Sequence, residues 1–192
     1  MNHYINQEEY LRAASYLEAK NEGGKYWNIQ DVKPMPSELY VNKEVGTSGV
    51  VNLLVGSTVS ERGVTNFDGN RLTDGRAFAA NAISIAAGVA DKNTPVHAVD
   101  YSFENVPASL RFATLVVKQK NEAIIKLPIN AILNGREDFS NYRNLEAFAF
   151  LEPNSITEID IEYPVGSQIN LPDGKTLFVS VFIKGFESYQ KR

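Results

Sequence analysis

The 192-residue chain contains no cysteine, which excludes disulfide bonds, thiolate nucleophiles and thiolate metal ligands. A disulfide-stabilised secreted scaffold therefore has no support, and we expect a reducing compartment. Histidine is scarce as well, since His3 and His97 are the only two and lie far apart in sequence. We interpret His97 as a neutral or surface residue rather than a metal ligand or general base, and expect neither a metal nor a cofactor.

The chain also lacks a basic excess and a long apolar run. Nineteen basic and twenty-three acidic side chains give a formal charge of -4. The chain as a whole therefore does not attract a polyanion, and we expect no direct binding of nucleic acid. The N-terminal residues show no cationic region followed by an apolar stretch. No segment approaches the roughly 20 apolar residues of a membrane-spanning helix, so we expect a soluble chain without a transmembrane segment.

Motifs for common chemistries are missing. Neither G-x-S-x-G, GxGxxG nor GxxxxGK[ST] occurs. Residues 67–75, FDGNRLTDG, concentrate Asp68, Asn70 and Asp74, but their spacing does not fit a calcium loop, and we interpret the segment as a turn. A carboxylate pair for glycoside hydrolysis stays open, because the separations between strand acids are unknown. We predict that the chain is not an enzyme.

A helix is predicted over residues 7–20, with Asn6 as N-cap. Tyr10, Ala14 and Leu17 share one narrow apolar face, which predicts packing at the edge of the domain or on a neighbouring molecule. Residues 25–49 contain two prolines and no sustained period, so we predict an extended arm there. Two parts follow, a helix and arm over residues 1–49 and a sandwich domain over residues 50–192.

Apolar segments of strand length recur after the arm. We predict eight strands, at residues 50–59, 77–87, 96–103, 110–117, 123–129, 145–151, 156–163 and 176–183. The connections between them are a mixture of short and long, which favours a Greek key over a meander. The predicted fold class is all-β, an eight-stranded single jelly-roll β-sandwich with an N-terminal helix and extended arm, and an immunoglobulin-like sandwich is the alternative.

Two of the predicted strands indicate where they lie in the sheets. In residues 156–163 apolar and acidic residues alternate, which predicts one face on the core and one in water. Residues 176–183 are apolar on both faces, which predicts a central strand or a subunit contact.

Three stretches resemble parts of a known module: residues 67–85, FDGNRLTDGRAFAANAISI, its opening turn and long strand; residues 107–129, PASLRFATLVVKQKNEAIIKLPI, its central hairpin; and residues 145–185, its closing strands. The module is the single jelly roll of capsid proteins from tailless icosahedral bacteriophages, a lineage that includes double jelly-roll major capsid proteins. The resemblance implies a structural virion protein made in the host cytoplasm. It also implies a homo-oligomer that contacts itself and other capsid proteins through its arm and loops, as a penton, minor or shell subunit.

Aromatic and apolar residues outside the predicted core are candidates for subunit contacts, because interfaces are enriched in aromatic side chains. They are Tyr10, Leu17, Tyr26, Trp27, Tyr142, Phe186 and Tyr189. Some of these aromatics could instead stack on sugars. A carbohydrate- or receptor-binding β-sandwich module is therefore the alternative function.

Overall fold

The computed structural model describes residues 3–21, 32–73, 75–136 and 140–190, with the backbone alone at residues 3–6, 32–33 and 189–190. The helices are α1 (His3–Lys20), α2 (Ala108–Arg111) and α3 (Ile129–Asn134), with a 3-10 turn at Val96–Ala98. The strands are β1 (Val32–Val45), β2 (Val50–Asn52), β3 (Phe78–Asp91), β4 (Thr114–Gln119), β5 (Glu122–Pro128), β6 (Arg143–Leu151), β7 (Thr157–Glu162) and β8 (Lys175–Gln190).

The strands form two antiparallel sheets of four. Sheet A has the order β1-β8-β3-β6 and sheet B the order β2-β7-β4-β5. The first strand pairs with the last, the second with the seventh, the third with the sixth and the fourth with the fifth. Two further ladders, β3 with β8 and β4 with β7, complete the sheets. The prediction of an all-β sandwich is confirmed.

The core lies between the two sheets and follows the alternation of each strand. In β7 Ile159 and Ile161 are fully buried between the sheets, as predicted. The predicted face in water is wrong at Asp160, which is 5% exposed because it is paired with Lys118 of the neighbouring strand β4. In β8 the residues Leu177, Val179, Val181 and Ile183 face the same core, while Phe178 and Ser180 are buried on the opposite face. Because β8 lies between β1 and β3, the prediction of a central strand is confirmed.

The predicted arm is wrong for residues 32–45, which form β1 and pair with β8 from Val32↔Gln190 to Val45↔Leu177. In the sequence, Pro34 and Pro36 indicate an arm and not a strand. The backbone N–H groups of Tyr40 and Asn42, on the same alternation, point away from β8 to the outer edge. Both prolines therefore lie where no sheet hydrogen bond is lost. The sandwich begins at β1, before the predicted boundary at residue 49, and residues 25–31 lie outside the described part.

The strand predicted over residues 96–103 is also wrong. Pro95 precedes the 3-10 turn Val96–Ala98, and this stretch forms a β-type pairing with a strand only at the isolated bridge between Ala87 and Ser102. His97 is exposed on it. The predicted strand at residues 50–59 ends at Asn52, and residues 110–111 of another belong to α2. Six of the eight predicted strands, including the one at residues 110–117, match β3, β4, β5, β6, β7 and β8 in part or whole.

The four edge strands are protected against pairing with another strand. The outer edge of β1 is capped by residues 61–66, for example where the Asn42 N–H donates to the Val64 carbonyl at 2.7 Å. Strand β2 has only three residues. Strand β5 has a register shift opposite Val117/Lys118 and ends in proline. In β6, residues 145–148 bulge out opposite Asn81.

Lys43 closes the open side of the sandwich between β1 and β2. It occupies a core-facing position between Val41 and Val45, and its Nζ donates to the carbonyl oxygens of Asn52 at 3.1 Å and Leu53 at 3.2 Å. Burial lowers the pKa of this amine. The side chain packs its stem against the core edge and joins the edge strand of one sheet to that of the other.

Replacing Lys43 by methionine keeps the apolar stem and removes both hydrogen bonds. We expect Lys43→Met to lower the free energy of unfolding by about 1–2 kcal/mol, because two carbonyl groups lose their donor. Denaturant unfolding measures this change, with Lys92→Met at an exposed lysine as the control. Equal stability of the two variants would show that the two Lys43 hydrogen bonds do not stabilise the sandwich.

Candidate functional site

Helix α1 packs on the outer face of sheet A in the same chain. Leu17 is 2% exposed and packs with Ala77, just before β3, and with Ala79 in β3. The Tyr16 hydroxyl donates to the Phe148 carbonyl of β6 at 3.2 Å. The helix is therefore anchored on the β6 bulge and on β3 without a second molecule.

The structure places the candidate contact residues as follows. Tyr10 and Phe186 meet edge to face, with ring centroids 6.5 Å apart, so both contribute to the docking of α1 together with Leu17. Tyr26 and Trp27 lie outside the described residues, as does the side chain of Tyr189. That these residues contact other subunits stays a prediction.

Tyr142 lies in the connection before β6 and is half-buried. Lys184 of β8 places its Nζ 5.7 Å from the centre of the tyrosine ring, a cation–π distance. Burial and the neighbouring Glu38 carboxylate, which also bonds the tyrosine, raise the pKa of Tyr142 to about 12. Two residues of the same chain therefore contact Tyr142, Lys184 at its ring and Glu38 at its hydroxyl.

A groove of about 480 Å³ runs between the edge strands β5 and β6, beside the end of α1. Its apolar lining includes Ile124, Leu127, Leu145, Ala147 and Phe148. Its polar lining includes Lys20, Lys126, Glu122 and the pair formed by Lys120 and Glu152.

The charged side chains on sheet B pair with one another. The Lys118 Nζ lies 2.8 Å from an Asp160 carboxylate oxygen and 3.5 Å from one of Glu162, and the bond to Asp160 raises the pKa of Lys118. The strand acids considered for glycoside hydrolysis include these two carboxylates, which share one lysine. Within the described ranges, no three His, Cys, Asp or Glu side chains are grouped to hold a metal ion.

The predicted turn in residues 67–75 is present between Asp68 and Arg71, which form an isolated bridge. Gly69 there has φ 69°, a left-handed conformation that glycine adopts without strain. Asp74 lies outside the described residues. The segment is a tight turn that leads the chain towards β3.

Three large apolar side chains are exposed at one end of the sandwich, which we call the loop end because the connections β1–β2, β3–β4, β5–β6 and β7–β8 lie there. Val50 is 68% exposed, Phe112 is 70% exposed and Val165 is fully exposed. The sequence does not predict this surface, because Val50 and Phe112 lie in predicted strands, whose exposed positions the pattern does not identify. The only available signal was Val165, between Pro164 and Gly166 in a turn.

No protein-family model, no curated protein and no solved structure matches this chain. Among the helices that the structure describes, none has the length and apolar character needed to cross a membrane.

The docking of α1 can be tested with two leucines of the same helix. We expect Leu17→Ala to loosen α1 from sheet A, because it removes the most buried leucine of the contact, and to make the helix a site of early proteolysis. Leu11→Ala is the matched control, since Leu11 is 56% exposed. Limited proteolysis followed by mass spectrometry reads the difference, and identical cleavage of both variants would contradict the contact.

Burial raises the pKa of Tyr101 and Tyr163 from an ordinary value of 10.0 to about 12. Burial and the neighbouring Glu38 carboxylate raise the pKa of Tyr142 to about 12 as well. The unfolded chain therefore loses these protons near pH 10 while the folded chain holds them, so their contribution to stability is complete below pH 10 and is lost as the pH rises to about 12. We expect tyrosinate absorbance to show a late class of tyrosines that Tyr142→Phe reduces. A single transition near pH 10 in the folded protein would contradict their burial.

Proposed function

We propose that this chain is a structural subunit of a virion, a single jelly-roll capsid protein that acts as a penton, minor or shell subunit. It is made in the host cytoplasm and incorporated into the capsid with copies of itself and other capsid proteins. In this role the chain performs no catalysis and needs no cofactor.

The pairing of the strands is the observation that carries this proposal. Each strand from β1 to β4 pairs with the strand equally far from the other end of the series, so the chain pairs like one long hairpin folded on itself. The ladders β3 with β8 and β4 with β7 then divide this hairpin into two sheets. Eight strands in two four-stranded sheets with such connections are typical of the jelly roll of viral capsid proteins.

The surface chemistry supports an assembly role over a genome-binding one. The net charge of -4 offers no general attraction for a nucleic acid backbone. The protected sheet edges prevent uncontrolled strand pairing, which a protein made in many copies must avoid. Exposed apolar side chains gather at the loop end, where a contact between subunits can bury them.

A carbohydrate- or receptor-binding module remains the second candidate, and the groove between β5 and β6 is the observation that favours it. Phe148 lies there beside the Glu122 and Glu152 carboxylates, a combination of ring and acceptor that sugars can use. The ring also contacts Tyr16, with centroids 5.1 Å apart, so part of its surface is already covered.

Light scattering and electron microscopy of the full-length protein over a concentration series separate the two candidates. We expect a discrete oligomer or closed particle whose population rises with concentration, because subunit contacts follow mass action. Phe148→Ala should leave this assembly unchanged. A monomer at every concentration that binds immobilised oligosaccharides saturably, with binding lost in Phe148→Ala, would favour the ligand-binding module instead.

A further inference from the structure

We infer that the loop end surface, formed by Val50, Phe112 and Val165, is where one copy of this chain contacts another. This inference rests on the proposed function, which requires contacts between copies, and names the residues that make them.

The backbone brings the three side chains together across sheet B. Val50 of β2 is paired with Glu162 at the end of β7, and Glu162 is paired on its other side with Thr114 at the start of β4. Phe112 therefore precedes, and Val165 follows, strands that lie side by side. The Tyr163 N–H donates to the Gly49 carbonyl at 2.8 Å, which fixes the turn with Val165 beside the start of β2.

This surface is nearly free of charge, although 22% of the chain's residues are charged. The stretches 47–50, 109–112 and 164–168 contain one charged residue, Arg111. Its guanidinium is occupied within the chain, because it donates to the Val106 carbonyl at 3.1 Å and to the Glu104 carbonyl. The neighbouring Glu162 is paired with Lys118. Exposed apolar groups without charges are the composition of an interface core.

The exposed Val59 does not share this environment. Val59, in the connection between β2 and β3, is 71% exposed but is followed by Glu61 and Arg62, with Asp68 and Arg71 further along the same connection. A single exposed apolar side chain among charges needs no partner. The loop end differs because its three exposed apolar residues lie at, or within three residues of, the paired ends of β2, β7 and β4.

Charge complementarity favours a second copy as the occupant. The charged groups at this surface, Arg111 and Glu162, are bonded within the chain, so the surface can meet itself, or the same surface around a rotation axis, with little like-charge repulsion. A nucleic acid or a strongly charged protein would find no counter-charge here. The protected edges of β1, β2, β5 and β6 leave side-chain packing as the available mode of contact between copies.

Single charges introduced at this surface test the inference. Val165→Asp and Phe112→Asp should each raise the dissociation constant for self-association at least about tenfold, since a buried unpaired carboxylate opposes the contact. Val59→Asp is the matched control and should leave that constant unchanged. Sedimentation equilibrium of the full chain measures the constant, and thermal unfolding checks that each variant is folded.

The possible results are distinguishable. Weaker association of the Val165 and Phe112 variants, with the Val59 variant unchanged, supports the surface. Unchanged association of both folded variants overturns it and leaves assembly itself intact. A wild-type monomer at every concentration overturns this inference and the proposed function together. If the wild-type chain is a monomer that floats with phosphatidylcholine vesicles, and the Val165→Asp variant does not float with them, the surface binds lipid instead.

Discussion

The double pairing of β8 is the interaction on which the rest of the structure depends. Along nearly its whole length β8 bonds β1 on one side and β3 on the other, and both of its faces are buried. Where β3 bulges, Gly185 is required, because a Cβ there would collide with the Ala79 carbonyl oxygen and the Phe78 ring. Beyond it the buried Glu187 accepts a hydrogen bond from Ser37 of β1 at 2.9 Å and is paired with Arg76 before β3. The first and last strands are thereby locked in one sheet.

This arrangement leaves few ways for the protein to associate. The β1 edge is capped by the 61–66 segment, and β6 is interrupted by its bulge beneath α1. Addition of a foreign strand is thus disfavoured. Side chains at the loop end, where the connections need not satisfy a sheet, can vary without disturbing the core. The same separation would allow a rigid sandwich to carry, at its loop end, the contact surface that we infer.

Much of the fold could be predicted from alternation and turn residues alone. The apolar alternation of β7 and the two apolar faces of β8 indicated their core-facing residues correctly, because the period of apolar residues follows burial. The acidic face of β7 was predicted to lie in water, but Asp160 on it is buried in an ion pair with Lys118, a contact between strands that alternation does not reveal. Strand β1 escaped prediction for two reasons. Its prolines lie on the outer edge, which only the register reveals, and Lys43 interrupts its apolar face with an amine that bonds two carbonyls of β2. The candidate contact residues chosen for their aromatic character include Tyr10 and Phe186, which pack on each other, whereas exposure at Val50 and Phe112 depends on where each strand ends.

Hydrogen exchange of the full-length chain tests the central claim most directly. If β1 is an integral strand of sheet A, the amides of residues 33–44 that point towards β8 exchange as slowly as those of β3, since both strands share the same partner. The amides that alternate with them point to the outer edge of β1, and they exchange faster wherever the 61–66 segment does not cap that edge. Uniformly rapid exchange across residues 33–44, with β3 and β8 still protected, would show that the segment is an arm and would contradict the account.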